Sequence, residues 1–170
     1  YKRQGELLRA IESGQRSVVL VGPRGVGKRA IVEGLARRMV EEDVPSELFD
    51  RRLVSINIPQ VVAAGEAGLA SERFYAILEE VKLSGNIILV LEGIEALSGS
   101  SGAGPLDLAE GLATELGRGR FIVIGTTTPE NYTAYVERRT LGAALIRVDI
   151  PELDPDAAIR VLMARCGGIE

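Results

Sequence analysis

The residues with the clearest chemistry lie between 19 and 35, in "VLVGPRGVGKRAIVEGL". Gly22, Gly27 and Lys28 satisfy the spacing G-x-x-x-x-G-K, that of a loop whose main-chain N–H groups cradle phosphate oxygens while the lysine reaches the β- and γ-phosphates. The next position ordinarily holds serine or threonine, whose hydroxyl ligates Mg²⁺, and here it is Arg29. A guanidinium repels the cation and attracts phosphate oxygens. Two arrangements follow. Arg29 either stands in for the charge of the metal, holding ADP or ATP with little dependence on Mg²⁺, or fills the phosphate pocket and keeps nucleotide out. The candidate phosphate-binding residues are Pro23, Arg24, Gly25, Val26, Gly27, Lys28, Arg29 and Ala30. Lysine occurs only at Lys2, Lys28 and Lys82, which gives its presence at the phosphate-reaching position some weight.

Such a loop works only between a strand and a helix, because unpaired N–H groups and the helix dipole at a helix N-terminus are what attract the anion. The flanking patterns supply both. Aliphatic, β-branched runs at 18–21, 53–58, 87–91, 121–125 and 146–150 read as buried strands, and their continuous apolar character suits parallel strands covered on both faces. Helical patterns at 27–42, 70–82, 106–116 and 129–139 alternate with them. This predicts a doubly wound α/β fold, a parallel five-stranded sheet with helices on both faces and ligands at the carboxyl ends of the strands. The segment 99–105, "GSSGAGP", reads as a flexible surface loop, and 153–166 as one more helix after a turn.

Composition narrows the chemistry. A chain of 170 residues, 46% hydrophobic, can bury one sizeable core and has the length of one domain. A net charge of −4 with no basic tract argues against nucleic acid as a partner. The lone Cys166 excludes an internal disulfide and a Cys-rich zinc site, and the absence of histidine removes Ser-His and Cys-His catalysis. No apolar run reaches the roughly 18 residues of a membrane span, and residues 1–12 lack the apolar core of a signal peptide, so a cytoplasmic setting without membrane is expected.

The stretch "GVGKRAIVEGLARRMVEEDVP" resembles the first nucleotide-binding domain of the Clp-type AAA+ unfoldases and disaggregases, where G-V-G-K-T is followed by A-I-V-E-G-L-A and D-V-P. The resemblance continues through "SGNIILVLEGIEAL", "GRGRFIVIGTTTPENY" and "DAAIRVL", nearly the whole chain. It implies the large P-loop subdomain of an ATP-binding remodelling ATPase over 1–151, the start of a helical lid over 152–170, assembly into a homo-oligomeric ring, and protein clients or partner subunits.

Where the family carries Asp for Mg²⁺ and Glu for the attacking water, this chain carries Glu92 and Gly93. Glu92, with its longer arm, remains the candidate for the metal or its water, and Gly93 has no side chain to orient a nucleophile. Glu95, two residues on, is a backup carboxylate, with a solvated surface glutamate as its expected role. Ala143 and Ala144 stand where the family's trans-acting arginines would be, with Arg138, Arg139 and Arg147 off register. Gly65 and Glu66 stand at the Lys-Tyr pair of the pore loop. Thr128 matches the polar sensor after the fourth strand. The resulting expectation is an adenine-nucleotide-binding module, impaired in hydrolysis and acting in oligomer assembly or regulation. Two alternatives stay open: an active ATPase with compensating residues, and a nucleotide-free scaffold.

Overall fold

The computed structural model describes residues 17–63, 67–99 and 108–152, together with Gly5 and Arg9. The five apolar runs become β1 (Val18–Val21), β2 (Arg52–Asn57), β3 (Ile87–Glu92), β4 (Ile122–Thr127) and β5 (Ile146–Asp149). All pair in parallel, in the order β2-β3-β4-β1-β5. Parallel neighbours need crossovers, which are supplied by α1 (Lys28–Val40), α2 (Ile58–Ala63), α3 (Ala67–Ser84), α4 (Leu108–Gly117), a short α5 (Pro129–Asn131) running into a π-helical turn at Tyr132–Val136, and α6 (Thr140–Ala144). The expected doubly wound sheet is therefore the fold observed.

Strand residues alternate between faces, and each face has its own core. Val18, Leu20, Ile88, Val90, Ile122, Ile124 and Val148 pack with Ile31, Val32 and Leu35 of α1. On the opposite face Val19, Val21, Leu89, Leu91 and Val123 meet Phe74, Leu78 and Val81 of α3 and Leu112 of α4. In α3, Ala70, Phe74, Leu78 and Val81 recur at helical spacing, which makes one buried stripe. The edge strand β2 departs from the expected double burial: Leu53 and Ile56 are only partly covered and Val54 is 39% exposed.

The expected helix over 129–139 is shorter and less regular, and 58–63 and 140–144 form helices that the apolar pattern did not signal. The expected loop at 99–105 lies, apart from Gly99, outside the described residues, as does the helix expected at 153–166 and all but Glu152 of the lid segment 152–170.

Ser17 fastens the central strand at its entry. Its buried hydroxyl accepts a hydrogen bond from Val123 N at 2.8 Å, and its carbonyl accepts one from Ile146 N at 2.9 Å, so β4 and β5 are both tied to one residue. Ser17→Ala strips the acceptor from a buried amide and should cost about 1–3 kcal/mol. The check is the urea midpoint, which should fall with no change in the slope of the transition.

Candidate nucleotide-binding site

At the carboxyl end of β1 the chain enters the glycine loop. Gly22 has to be glycine, because a Cβ there would sit 2.7 Å from the carbonyl oxygen of Ile150. Gly25 and Gly27 both adopt positive φ, 76° and 100°. Gly27 is the N-cap of α1 and offers no side chain to the first-turn amides, which have no intrahelical acceptors. The first turn also lacks any acidic residue and instead carries Lys28 and Arg29, two cations at the positive end of the helix dipole. An anion lodged against those amides relieves both the missing acceptors and the repulsion.

The Lys28 ammonium donates to the carbonyl oxygens of Gly22 and, at 2.9 Å, of Pro23, folding the side chain over the loop. Burial pushes its pKa below the ordinary 10.5. Glu95 works against that shift, Arg24 adds to it, and Glu130 opposes it more weakly. Pro23, Arg24, Gly25, Val26 and Ala30 lie along the same loop and first turn, so the predicted phosphate-binding set is contiguous in space.

Arg29 does not plug the site. Its side chain is 78% exposed and its Nε donates to Glu33 Oε1 at 3.1 Å, one turn along α1. The pair forms the rim of a cavity of about 390 Å³ floored by Val32, Val90 and Thr126 and lined by Gly25, Gly27, Lys28, Ser55 and Glu92. The nucleotide-free alternative therefore loses the plug that would have enforced it.

Glu92 ends β3 in this cavity, where its Oε1 accepts a hydrogen bond from Ser55 Oγ at 3.0 Å. For Mg²⁺ the donor set is poor. The hydroxyl ligand is replaced by a guanidinium, Glu92 is shared with Ser55, and among the described residues no group of three His, Cys, Asp or Glu could enclose a metal.

Gly93 is locked as glycine. Its φ is 70°, and a Cβ would lie 2.9 Å from both Cγ and Cδ of Pro59. The following turn, Ile94–Ser98, is 3₁₀-helical, and Ile94 packs directly on Gly125 of β4, where a Cβ would come within 2.7 Å of Ile94 Cδ1. The expectation that Glu95 is a solvated surface group is incorrect. It is partly buried, and Oε1 accepts from Asn131 Nδ2 at 2.9 Å. Thr128 caps α5, its Oγ1 accepting from Asn131 N at 3.3 Å, so the sensor position and Glu95 are joined through Asn131.

Other predicted positions lie apart. Ala143 and Ala144 are on α6. Arg147 is engaged within its own chain, its Nη2 2.8 Å from Asp149 Oδ1 and its guanidinium 4.7 Å from the Tyr132 ring centroid. Arg138 and Arg139 are exposed. Gly65 and Glu66 lie outside the described residues. Ser55, Pro59 and Asn131 went unremarked in the sequence. Asn131 had a legible signal, as the third residue after a Thr-Pro N-cap pattern, whereas the contact between Pro59 and Gly93 had none.

Residues 18–140 match the family described as "ATPase family associated with various cellular activities (AAA)". The chain belongs to that family. Within the AAA proteins its relatives are of Clp type. It is 44% identical over 122 residues to "Chaperone protein ClpB" of Aquifex aeolicus (strain VF5), covering 71% of this chain and 12% of that protein. It is 36% identical over 169 residues to "Negative regulator of genetic competence ClpC/MecB" of Bacillus subtilis (strain 168), covering 92% of this chain and 20% of that protein. The structure described as the S. cerevisiae Hsp104-ADP complex superposes with a TM-score of 0.82 at 28% identity, over 95% of this chain and 23% of that one. Hsp104 solved with ATPγS and FITC casein gives 0.79 at 31% identity, over 95% and 28%. The chain thus spans 12% to 20% of the length of these two Clp relatives. Among the described residues no helix is long and apolar enough to cross a membrane.

The lock at Gly93 generates a direct test. Gly93→Ala forces a Cβ into the Pro59 ring at positive φ and should destabilise the chain by about 1–3 kcal/mol. Pro59→Gly should recover part of that loss, read as melting temperature in a double-mutant cycle.

Proposed function

We propose that this chain is the adenine-nucleotide-binding module of a Clp-like, cytoplasmic protein-remodelling machine, and that it holds ADP or ATP with little help from Mg²⁺ and hydrolyses it slowly. Its part in the machine is assembly of a homo-oligomeric ring, or regulation of that ring's work on protein clients. The large P-loop subdomain runs through 1–151 and the lid begins at 152–170. The observation that carries the reading is the pairing of an intact amide cradle with an outward-turned Arg29, which leaves the phosphate site open while removing the metal's hydroxyl ligand.

Slow turnover follows from Gly93. Without a side chain at that position, and with Pro59 filling the space one would occupy, the family's route to a polarised water is lost. Ala143 and Ala144 remove a second contribution, the cation a neighbouring subunit would bring to the γ-phosphate, worth on the order of 10³–10⁵ in rate where it is used. Thr128 keeps the sensor role and Glu92 is left as a weak metal contact. Binding residues Pro23 to Ala30 do not depend on any of these losses.

Calorimetry tests the reading. ADP should bind with Kd in the micromolar range, changing less than threefold when Mg²⁺ is withdrawn, and Lys28→Ala should weaken it at least tenfold. Phosphate favours the charged lysine, so binding raises the lowered Lys28 pKa. ADP affinity should consequently fall as pH rises, beginning below the 10.5 of an ordinary lysine. No heat of binding at millimolar ADP would leave a scaffold, and turnover near ~1 s⁻¹, the low end for ordinary enzymes, would defeat the slow-hydrolysis half.

A further inference from the structure

We infer that the carboxylate lost at position 93 has been replaced two residues along the chain, and that Glu95 orients the attacking water and takes its proton in whatever ATP hydrolysis this module performs. The inference rests on the nucleotide-binding reading above and adds to it a residue for the chemical step.

Three features of the backbone bring Glu95 there. The left-handed Gly93 turns the chain sharply at the end of β3, Ile94 drops onto Gly125, and the tight 3₁₀ turn carries Glu95 back over the carboxyl ends of β3 and β4. As a result Glu95 Oε1 lies 3.9 Å from the point at which a side chain at 93 would begin. The carboxylate lies within the reach of a glutamate rooted at 93.

The surroundings suit a base acting on phosphate. Oε1 is held by Asn131 Nδ2 at 2.9 Å, and Asn131 is held in turn by Thr128 Oγ1, so the carboxylate is fixed relative to the end of β4. Across the site, Glu95 is the charged group that acts most strongly on the Lys28 ammonium. Lysine at that loop position reaches the β- and γ-phosphates, so the carboxylate that acts on it lies toward the phosphate end of the site. Of the other acids near the loop, Glu92 is held by Ser55 and Glu33 by Arg29, while Glu130, which acts on Lys28 more weakly than Glu95, is exposed.

In the step itself, the water oxygen forms a bond to Pγ while the bond from Pγ to the β,γ-bridging oxygen breaks, and ADP leaves with that electron pair. The water proton passes to the Glu95 carboxylate and from there to solvent, giving ADP, inorganic phosphate and one proton. A positioned base contributes about 10²–10⁴ in rate.

The experiment separates binding from chemistry in the full-length protein, with ATP affinity from calorimetry and hydrolysis from single-turnover assays. Glu95→Gln keeps the side-chain length and can still accept from Asn131. It should leave ATP affinity within about twofold and lower the single-turnover rate at least tenfold. Adding Gly93→Glu with Pro59→Gly in the Glu95→Gln background should recover much of the rate, because it restores a carboxylate from the original position. If Glu95→Gln unfolds the chain, Glu95→Asp, which withdraws the charge by one methylene, replaces it with the same expected loss. A Glu95 variant that binds ATP and hydrolyses it at the wild-type rate overturns the inference alone, as does a wild-type protein that binds ATP and never cleaves it. Failure of the wild-type protein to bind ATP overturns the underlying reading and the inference with it.

Discussion

The site depends on where three parallel strands stop. Each of β1, β3 and β4 ends at the same edge of the sheet, and main-chain hydrogen bonds continue the ladder one residue beyond β1, β3 and the edge strand β5. Gly22 N donates to Thr127 O, Gly93 N to Thr126 O, and Ile150 N to Val21 O. The loops therefore leave from fixed points, and their glycines decide in which direction. Because β1 is fully buried and paired on both sides, the phosphate loop leaves from a strand held by the core on both faces.

On that edge, volume explains why position 93 carries no side chain better than charge does. The Pro59 ring and a side chain at 93 compete for the same space, and the positive φ of Gly93 disfavours any side chain even before the ring is considered. The absence of a side chain at 93 is thus a property of two packed segments, α2 and the end of β3, and not of one residue alone. It also makes the 3₁₀ turn possible in its observed form, since the left-handed residue is what lets Ile94 reach Gly125 and sends Glu95 inward.

Legibility followed the length of the signal. The strands could be read because each is a run of aliphatic residues, and their observed bounds differ by no more than two residues at either end. The loop could be read because its glycine and lysine spacing is a backbone requirement expressed in side-chain types. Arg29 was ambiguous, although Glu33 four residues on in a helix was a clue to its outward turn, since i and i+4 side chains meet on one face. Glu95 was misjudged for a physical reason: in a 3₁₀ turn that follows a left-handed residue, neither the period of a strand nor that of an α-helix tells which way a side chain points. Helices at 58–63 and 140–144 are too short for any periodic pattern to emerge from six or five residues.

The charge arrangement around Lys28 bears on why a cradle can outlast its metal. In an ordinary phosphate loop Mg²⁺ offsets the triphosphate's charge, and a chain that loses a metal ligand must offset it otherwise or bind less well. Here three cations, Arg24, Lys28 and Arg29, stand within seven residues of sequence at a helix N-terminus, with no acid in the first turn. Glu33 partly neutralises Arg29, but that pair is solvent-exposed and weak, so the guanidinium can swing toward an incoming phosphate at little cost. Glu95 acts on Lys28 with the opposite charge, so an incoming phosphate and Glu95 compete for the same ammonium.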